Sequence, residues 1–371
     1  MRVAIVHDWL TGMRGGERVL EALLALFEDP EIFTLVHVPG SVSPAIERHR
    51  IHTSFIDRLP AAGSVYRSYL PLFPAAIERF DFTGFDLVVS SSHCVAKGAR
   101  APEGVPHLCY CHTPMRYVWD QYQAYFGAGR ASTPIRLLMP PLAGWLRRWD
   151  VETTNRVHTF IANSEHVRAR IAEYWRRDAT VVYPPVDVAR FHPADKREPF
   201  YLIVSALVPY KRIDVAVDAF NRSGQRLVVV GDGPELMRLQ NRAEANILFH
   251  GHLPDEEVAR LMSRARAFVL PGEEDFGIAA VEAQAAGAPV IALGRGGAGE
   301  TVVGALAGET PPAGATGVFF AEPTADALAH AVECFEGLRF DPTALRCNAQ
   351  RFTPERFRDG MRAALDRLLH A

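Results

Sequence analysis

At 371 residues the chain is long enough for two domains, and its 48% apolar and 22% charged residues exclude disorder, collagen and coiled coil. A formal charge of −3 speaks against a dedicated nucleic-acid binder, which is usually clearly basic, so no nucleic-acid partner is expected. Of the 40 Lys and Arg residues, the only lysines are Lys97, Lys196 and Lys211.

The chain enters a strand at once with Arg2-Val3-Ala4-Ile5-Val6, which leaves no room for a signal peptide at this end. No uncharged apolar run reaches about 18 residues, the length a membrane span needs. A cytoplasmic protein is the expectation. The cysteines (Cys94, Cys109, Cys111, Cys334, Cys347) form no C-x-x-C pair and read as reduced thiols. Cys109, Cys111 and His112 lack a second ligand pair, so no metal site is expected there.

Short apolar runs alternate with helical patterns, the signature of parallel α/β units. Strands are predicted at 3–6, 32–36, 86–90, 107–110 and 159–162, with a loop over 8–16 leading into a helix at 17–27. The pattern restarts with strands at 201–204, 227–230, 247–249, 267–270 and 289–292, and a helix at 212–220. Between the halves, Pro184, Pro185, Pro193 and Pro199 predict a stiff linker with no helix inside it. The expected architecture is α/β, two doubly wound domains facing across a cleft that holds the ligand.

Two stretches break the alternation. Residues 66–82 are aromatic and punctuated by proline. Residues 134–149 are apolar, flanked by Arg136, Arg147 and Arg148, and interrupted at Pro140-Pro141. The window 130–177 holds nine Arg against four acids. A basic face beside an apolar helix suits anionic lipid, and a solvated helix over an ordinary core explains it equally well.

The chemistry concentrates in Glu274-Asp275-Phe276-Gly277-Ile278-Ala279-Ala280-Val281-Glu282. It follows a strand and the turn Pro271-Gly272, which puts Glu274 in a strand-to-helix loop at the carboxyl edge of a sheet. A helix from Gly277 to Ala286, stopped by Gly287, turns free backbone N–H groups and its positive end toward an anion. Glu274 and Glu282 together suit a hydroxyl-rich ligand. They could equally be an acid complementing the helix dipole and a surface glutamate.

The E-x(7)-E spacing, its internal Phe-Gly and the continuation Glu282-Ala283-Gln284-Ala285-Ala286-Gly287 resemble the retaining GT-B glycosyltransferases of group 1, family 4. Further motifs resemble that family in order along the chain: Gly15-Gly16-Glu17, His112-Thr113-Pro114-Met115-Arg116-Tyr117, Ala162-Asn163-Ser164, Tyr183-Pro184-Pro185-Val186-Asp187 and Pro209-Tyr210-Lys211-Arg212. The His112 segment is similar to that of O-antigen and exopolysaccharide mannosyltransferases. The resemblance implies two Rossmann-like domains, with boundaries at 1–185, a linker at 186–199, a nucleotide-sugar domain at 200–352 and a returning helix at 353–371.

It also implies roles. Glu274 binds the donor sugar near the reacting centre, and Glu282 binds the nucleotide ribose. Lys211 neutralises the diphosphate, Phe276, Gly277, Ile278 and Ala279 offer backbone N–H groups, and Leu253 lies against the nucleobase. Gly15 and Gly16 let the first-domain loop approach the diphosphate, and His112 faces donor and acceptor. Where many members carry Gly-Arg, this chain has Ser205-Ala206, so one phosphate-binding cation is absent. By resemblance the reaction is hexosyl transfer with retention, without a metal or other cofactor. GDP-mannose is the leading donor and a polyprenyl-linked saccharide the expected acceptor, in surface-polysaccharide (lipopolysaccharide-like) synthesis on the inner face of the plasma membrane. A sugar-nucleotide epimerase or phosphorylase of the same fold, or a catalytically inactive sugar-nucleotide-binding subunit, are the alternatives.

Overall fold

The computed structural model describes residues 1–127 and 133–370. The chain divides into two compact units, one of residues 1–185 with 354–371, the other of 186–353.

In the first unit β1 (Val3–His7), β2 (Glu31–Thr34), β3 (Ile51–Thr53), β4 (Leu87–Ser92), β5 (His107–Cys111), β6 (Thr159–Ala162) and β7 (Thr180–Val181) form one sheet. The strands pair in parallel in the order β3-β2-β1-β4-β5-β6-β7. The central strands are buried on both faces, so they read as unbroken apolar runs. Alternate residues serve opposite cores. Val3 and Ile5 pack with Val19, Leu20 and Leu23 of the helix Gly15–Leu24, whereas Ala4 and Val6 pack with Phe73, Ile77 and Leu146.

The closing helix Pro354–Leu369 lies on the first of these faces. It buries Phe357, Met361, Ala364 and Leu365 at helical spacing, with the Phe357 ring 5.6 Å from that of Tyr110. Burying Phe, Met and Leu there contributes roughly 5–8 kcal/mol before ordering entropy.

The helix Thr133–Glu152 runs straight through Pro140 and Pro141, so the predicted interruption does not occur. Met139, Ala143, Leu146 and Trp149 hold it to the core at three- and four-residue steps. The carbonyls that lose their partners belong to Arg136 and Leu137, both exposed, where water can satisfy them. Arg130, at the start of the Arg-rich window, lies outside the described residues.

The second unit repeats the plan. β8 (Tyr201–Val204), β9 (Leu227–Val230), β10 (Ile247–Gly251), β11 (Ala267–Leu270), β12 (Val290–Leu293), β13 (Gly304–Leu306) and β14 (Gly317–Phe320) form a parallel sheet in the order β10-β9-β8-β11-β12-β14-β13. Tyr201, Ile203, Val229 and Val269 pack against the helices Ile213–Ser223 and Ala325–Glu336. Residues 186–199 belong to this unit and contain a single 3-10 turn, Val188–Arg190, where no helix was expected.

β3, β7, β13 and β14 were not foreseen. Three of them are edge or terminal strands of two or three residues, too short for a periodic signal. β14 depends on glycine: a Cβ on Gly317 would stand 2.1 Å from the Val290 carbonyl oxygen, so only Gly allows β12 and β14 to pair this closely.

Candidate functional site

In a doubly wound sheet, the strand order reverses at one point, and the loops there part to leave a crevice at the carboxyl edge. In the second unit that point lies between β8 and β11. The segment after β8 carries Lys211 and the segment after β11 carries Glu274, and the two meet. The Lys211 ammonium donates to both Glu274 carboxylate oxygens. The pair is not sealed off, with side chains 17% and 12% exposed.

Glycine makes the meeting possible. A Cβ on Gly272 would stand 2.7 Å from the Lys211 carbonyl carbon and oxygen, so the Pro271-Gly272 turn lets the two backbones touch. On the other side, a Cβ on Gly296 would be 2.4 Å from the Glu274 carbonyl oxygen, and Gly297 N–H donates to that oxygen at 2.7 Å. Gly272, Gly296 and Gly297 were not foreseen as site residues. Only the adjacency of chain segments far apart in sequence reveals them.

Gly277 starts the helix Ile278–Ala285 with φ +93°, a conformation a side chain would strain. The first helical N–H groups, those of Ile278 and Ala279, lack an intrahelical acceptor at this position. The Phe276 side chain is buried against Phe352, ring centroids 5.2 Å apart, which anchors the loop while leaving its backbone to line the edge. Gln284, fully buried, donates to Thr301 O at 2.8 Å and accepts from Asn348 at 2.7 Å, locking this helix to its neighbours.

Glu282 lies one turn and more along the helix, beside Arg190, whose Nη2 reaches Oε1 at 3.4 Å while Nη1 donates to Asp255 at 2.8 Å. Thus a residue of the Pro-rich stretch orients the second glutamate. Leu253 follows β10, half-buried at the same carboxyl edge. Gly231-Asp232-Gly233 follows β9 and packs directly on Ser205 and Leu207, whose carbonyl oxygens leave no space for a Cβ on either glycine. Of the arginines that could replace the one absent at Ala206, Arg212 pairs with Asp214 and Arg295 with Glu322.

In the first unit the reversal lies between β1 and β4, and a different group occupies it. His7 Nδ1 and Ser91 Oγ are 3.1 Å apart, and Ser91 Oγ and His112 Nε2 are 2.8 Å apart. Glu17 Oε1 lies 3.8 Å from His7 Nε2. The Asp8 carboxylate accepts from the backbone N–H groups of His93, Cys94, Val95 and Ala96 at 2.7–3.0 Å. Burial, with His93 and His7 nearby, holds the His112 imidazole well below its ordinary pKa, so it is neutral near pH 7. Burial would raise Glu17, yet its contacts with His7 and its own backbone leave it lowered and ionised.

Asn163 donates to the His112 carbonyl at 2.9 Å and Ser164 caps the helix Glu165–Trp175, so this segment fixes the His112 backbone. Gly15 and Gly16 are the first residues of a helix, not a loop as expected. A Cβ on Gly16 would be 3.7 Å from the His7 ring and 4.0 Å from His112 Nε2, so the first helical turn lies over the histidines.

Lys97 proves structural. Fully buried, it stands 3.1 Å from Asp150 Oδ1 and donates to Thr153 at 2.7 Å, with the Trp149 and Trp175 rings around it. Asp150 Oδ2 accepts from the indoles of Trp119 and Trp175 at 2.8 and 2.7 Å. Cys109 and Cys111 are buried in β5, and burial pushes the Cys109 thiol up to about 12. Among the described residues no three His, Cys, Asp or Glu side chains are grouped to hold a metal ion. A hollow of about 660 Å³ lies at the amino edge of the first sheet beside Met1, Asp86 and Pro106, away from these groups.

A family model described as "Glycosyl transferases group 1" matches residues 187–351, and one described as "Glycosyltransferase Family 4" matches 13–190. A GDP-mannose-dependent alpha-mannosyltransferase of Corynebacterium glutamicum is 31% identical over 336 residues, 80% of this chain and 73% of that protein. The chain belongs to the GT-B glycosyltransferases of group 1. This glycosyltransferase is also 32% identical, over 197 residues, to a GDP-mannose-dependent alpha-(1-6)-phosphatidylinositol monomannoside mannosyltransferase of Mycobacterium tuberculosis, 44% of this chain and 50% of that protein. The chain spans about half the length of several relatives it matches. Sucrose-phosphate synthase from Thermosynechococcus elongatus shares the fold, with a TM-score of 0.73 at 20% identity over the whole of both chains.

Proposed function

We propose that this glycosyltransferase moves a hexose from a nucleoside-diphosphate sugar to a hydroxyl acceptor with retention of anomeric configuration. The observation that carries this reading is the Lys211–Glu274 pair at the β8/β11 reversal, beside the N-terminus opened by Gly277. Breaking the anomeric bond builds negative charge on the leaving diphosphate. A compact ammonium and two free helix N–H groups stabilise that charge, and Glu274 accepts hydrogen bonds from the sugar hydroxyls.

Glu282, steadied by Arg190, suits the two hydroxyls of a ribose, and Leu253 an apolar contact with the base. The leaving diphosphate takes the acceptor proton on the face it departs from, so no side chain forms a covalent intermediate and no metal is assigned a role. GDP-mannose is the favoured donor, supported by the GDP-mannose dependence of two relatives.

A lipid-linked saccharide is the proposed acceptor. The support is the exposed side of the helix Thr133–Glu152, where Leu137 and Leu138 are 73% and 69% exposed and Ile135, Arg136, Trp145 and Arg148 are exposed as well. Arg147 does not join this face: it stacks near Trp119 and donates to the Val118 carbonyl. Among the described residues no helix is long and apolar enough to cross a membrane, so contact would be peripheral.

The test is a panel of GDP-mannose, UDP-glucose and UDP-galactose read by thermal shift and by product NMR. A shift with GDP-mannose and an α-linked product are expected, with full rate in EDTA. Binding of no nucleoside-diphosphate sugar would overturn the reading. Liposomes containing anionic lipid should retain the protein at low salt, and failure to do so would sink the lipid part alone.

A further inference from the structure

The chain Glu17–His7–Ser91–His112 contains a counting problem whose solution assigns a proton. A serine hydroxyl has one hydrogen. Ser91 Oγ lies within hydrogen-bond distance of two imidazole nitrogens, His7 Nδ1 at 3.1 Å and His112 Nε2 at 2.8 Å. The single hydroxyl hydrogen cannot serve both nitrogens, so at least one of them must donate to the oxygen. Nothing local to Ser91 chooses between them.

Glu17 makes the choice. His7 Nε2 is buried without a hydrogen-bond partner, and the closest acid is Glu17 Oε1 at 3.8 Å. A lone pair on Nε2 would face a carboxylate in a site closed to water, whereas an N–H there is attracted to it. A neutral His7 ring therefore carries its proton on Nε2, with Nδ1 as an acceptor. Ser91 donates to Nδ1 and accepts from His112 Nε2–H.

We propose that His7 and Ser91 are positioning residues for His112: through Glu17 they hold its ring with the proton on Nε2, leaving Nδ1 as an acceptor for a sugar hydroxyl. The sugar part rests on the transfer reaction proposed above. The tautomer part does not.

The surroundings keep the arrangement in one state. The His93 ring is 6.0 Å from His7 and 6.2 Å from His112, and Tyr110 is 5.3 Å from His112. Asp8, next to His7 in sequence, accepts four backbone N–H groups and lies 3.2 Å from His93 Nδ1. Glu17 itself accepts from the Arg14 N–H at 2.9 Å, which aims its other oxygen at His7. The helix start at Gly15-Gly16 thus delivers both the carboxylate and the lid over the rings.

The experiment is long-range ¹H–¹⁵N correlation of the full chain labelled at histidine nitrogen, with His112 assigned by its loss in His112→Gln. Wild type should show His112 as the Nε2–H form. Ser91→Ala should give a mixture of tautomers, and Ser91→Thr, which keeps the hydroxyl, should restore one. A wild-type Nδ1–H form overturns the proposal without any variant, as does a tautomer unchanged in Ser91→Ala. With an active donor, Ser91→Ala should lose roughly ten-fold in kcat/KM, the size of one buried hydrogen bond, and Ser91→Thr much less. An unchanged rate removes the sugar-facing role. A correct tautomer in a protein that transfers from no donor would instead refute the transfer reading and leave the proton assignment standing.

Discussion

The two sheets reverse strand order in the same way and place opposite electrostatics at the reversal. In the second unit, Lys211 and Glu274 form an ion pair within reach of solvent. In the first, the same position is filled by rings and a hydroxyl: His7 and Ser91 are fully buried, and burial holds His112 neutral. The comparison teaches that the topology supplies a crevice and the loop residues choose its polarity. A site that meets a departing diphosphate needs fixed charge. A site that reads sugar hydroxyls needs neutral donors and acceptors with assigned directions.

The largest effect should come from the charged site. Glu274→Ala and Lys211→Ala should each lower kcat/KM by roughly 10²–10³ or more, while His112→Ala costs less. Steady-state kinetics with the active donor decides this, and a larger loss at His112 would invert the comparison.

The first unit should instead break through its buried charge. Lys97→Met strips the cation from Asp150 and should cost about 3–5 kcal/mol in denaturant unfolding, since an unpaired buried carboxylate remains. A change under about 1 kcal/mol would mean that the indole donors suffice.

Acid should distinguish the units further. The first unit contains His93, His107 and His112, all held below the ordinary histidine pKa mainly by burial, His107 at about 3. The unfolded chain therefore takes up protons first as pH falls through about 6.5. Stability is full above that value and declines toward pH 3, with His107 alone removing roughly 2 kcal/mol at pH 5. Hydrogen exchange at pH 7 and 5 should show protection lost first in residues 1–185.

The smallest effect tests geometry at constant charge. Lys211→Arg should cost roughly ten-fold, because a planar fork cannot replace the point charge held by the Glu274 carboxylate. Parity with wild type would reduce Lys211 to a bulk charge.

Much of this was readable in the residues. Most inner strands are apolar runs because both faces are buried, and ten of the fourteen described strands were located to within a few residues. Glu274 and Gly277 stood out because a strand, a turn and a helix start follow one another locally, and Lys211 because lysine is rare in the chain and its motif resembles that of the family. The partners of those residues did not. Gly272 and Gly296 matter through contacts with chain segments tens of residues away. Lys97 had no visible purpose until Asp150 appeared beside it. Ser91 gave no signal at all, since the middle one of three serines ending a strand is ordinary until two imidazoles are found on either side of it.

The order of apolar runs, turns and helix starts by itself determined an α/β chain in two parts, because these depend on periodicity and on neighbours along the backbone, whereas Lys211 and Glu274 were singled out by motifs that resemble those of the family. Only the tertiary structure decided that Lys211 pairs with Glu274, that Arg190 steadies Glu282 and that His112 is wired through Ser91 to Glu17. Parallel strands bring their carboxyl ends together from distant places in the sequence. Hydrogen bonds and ion pairs at that edge depend on ångström distances that periodicity does not contain.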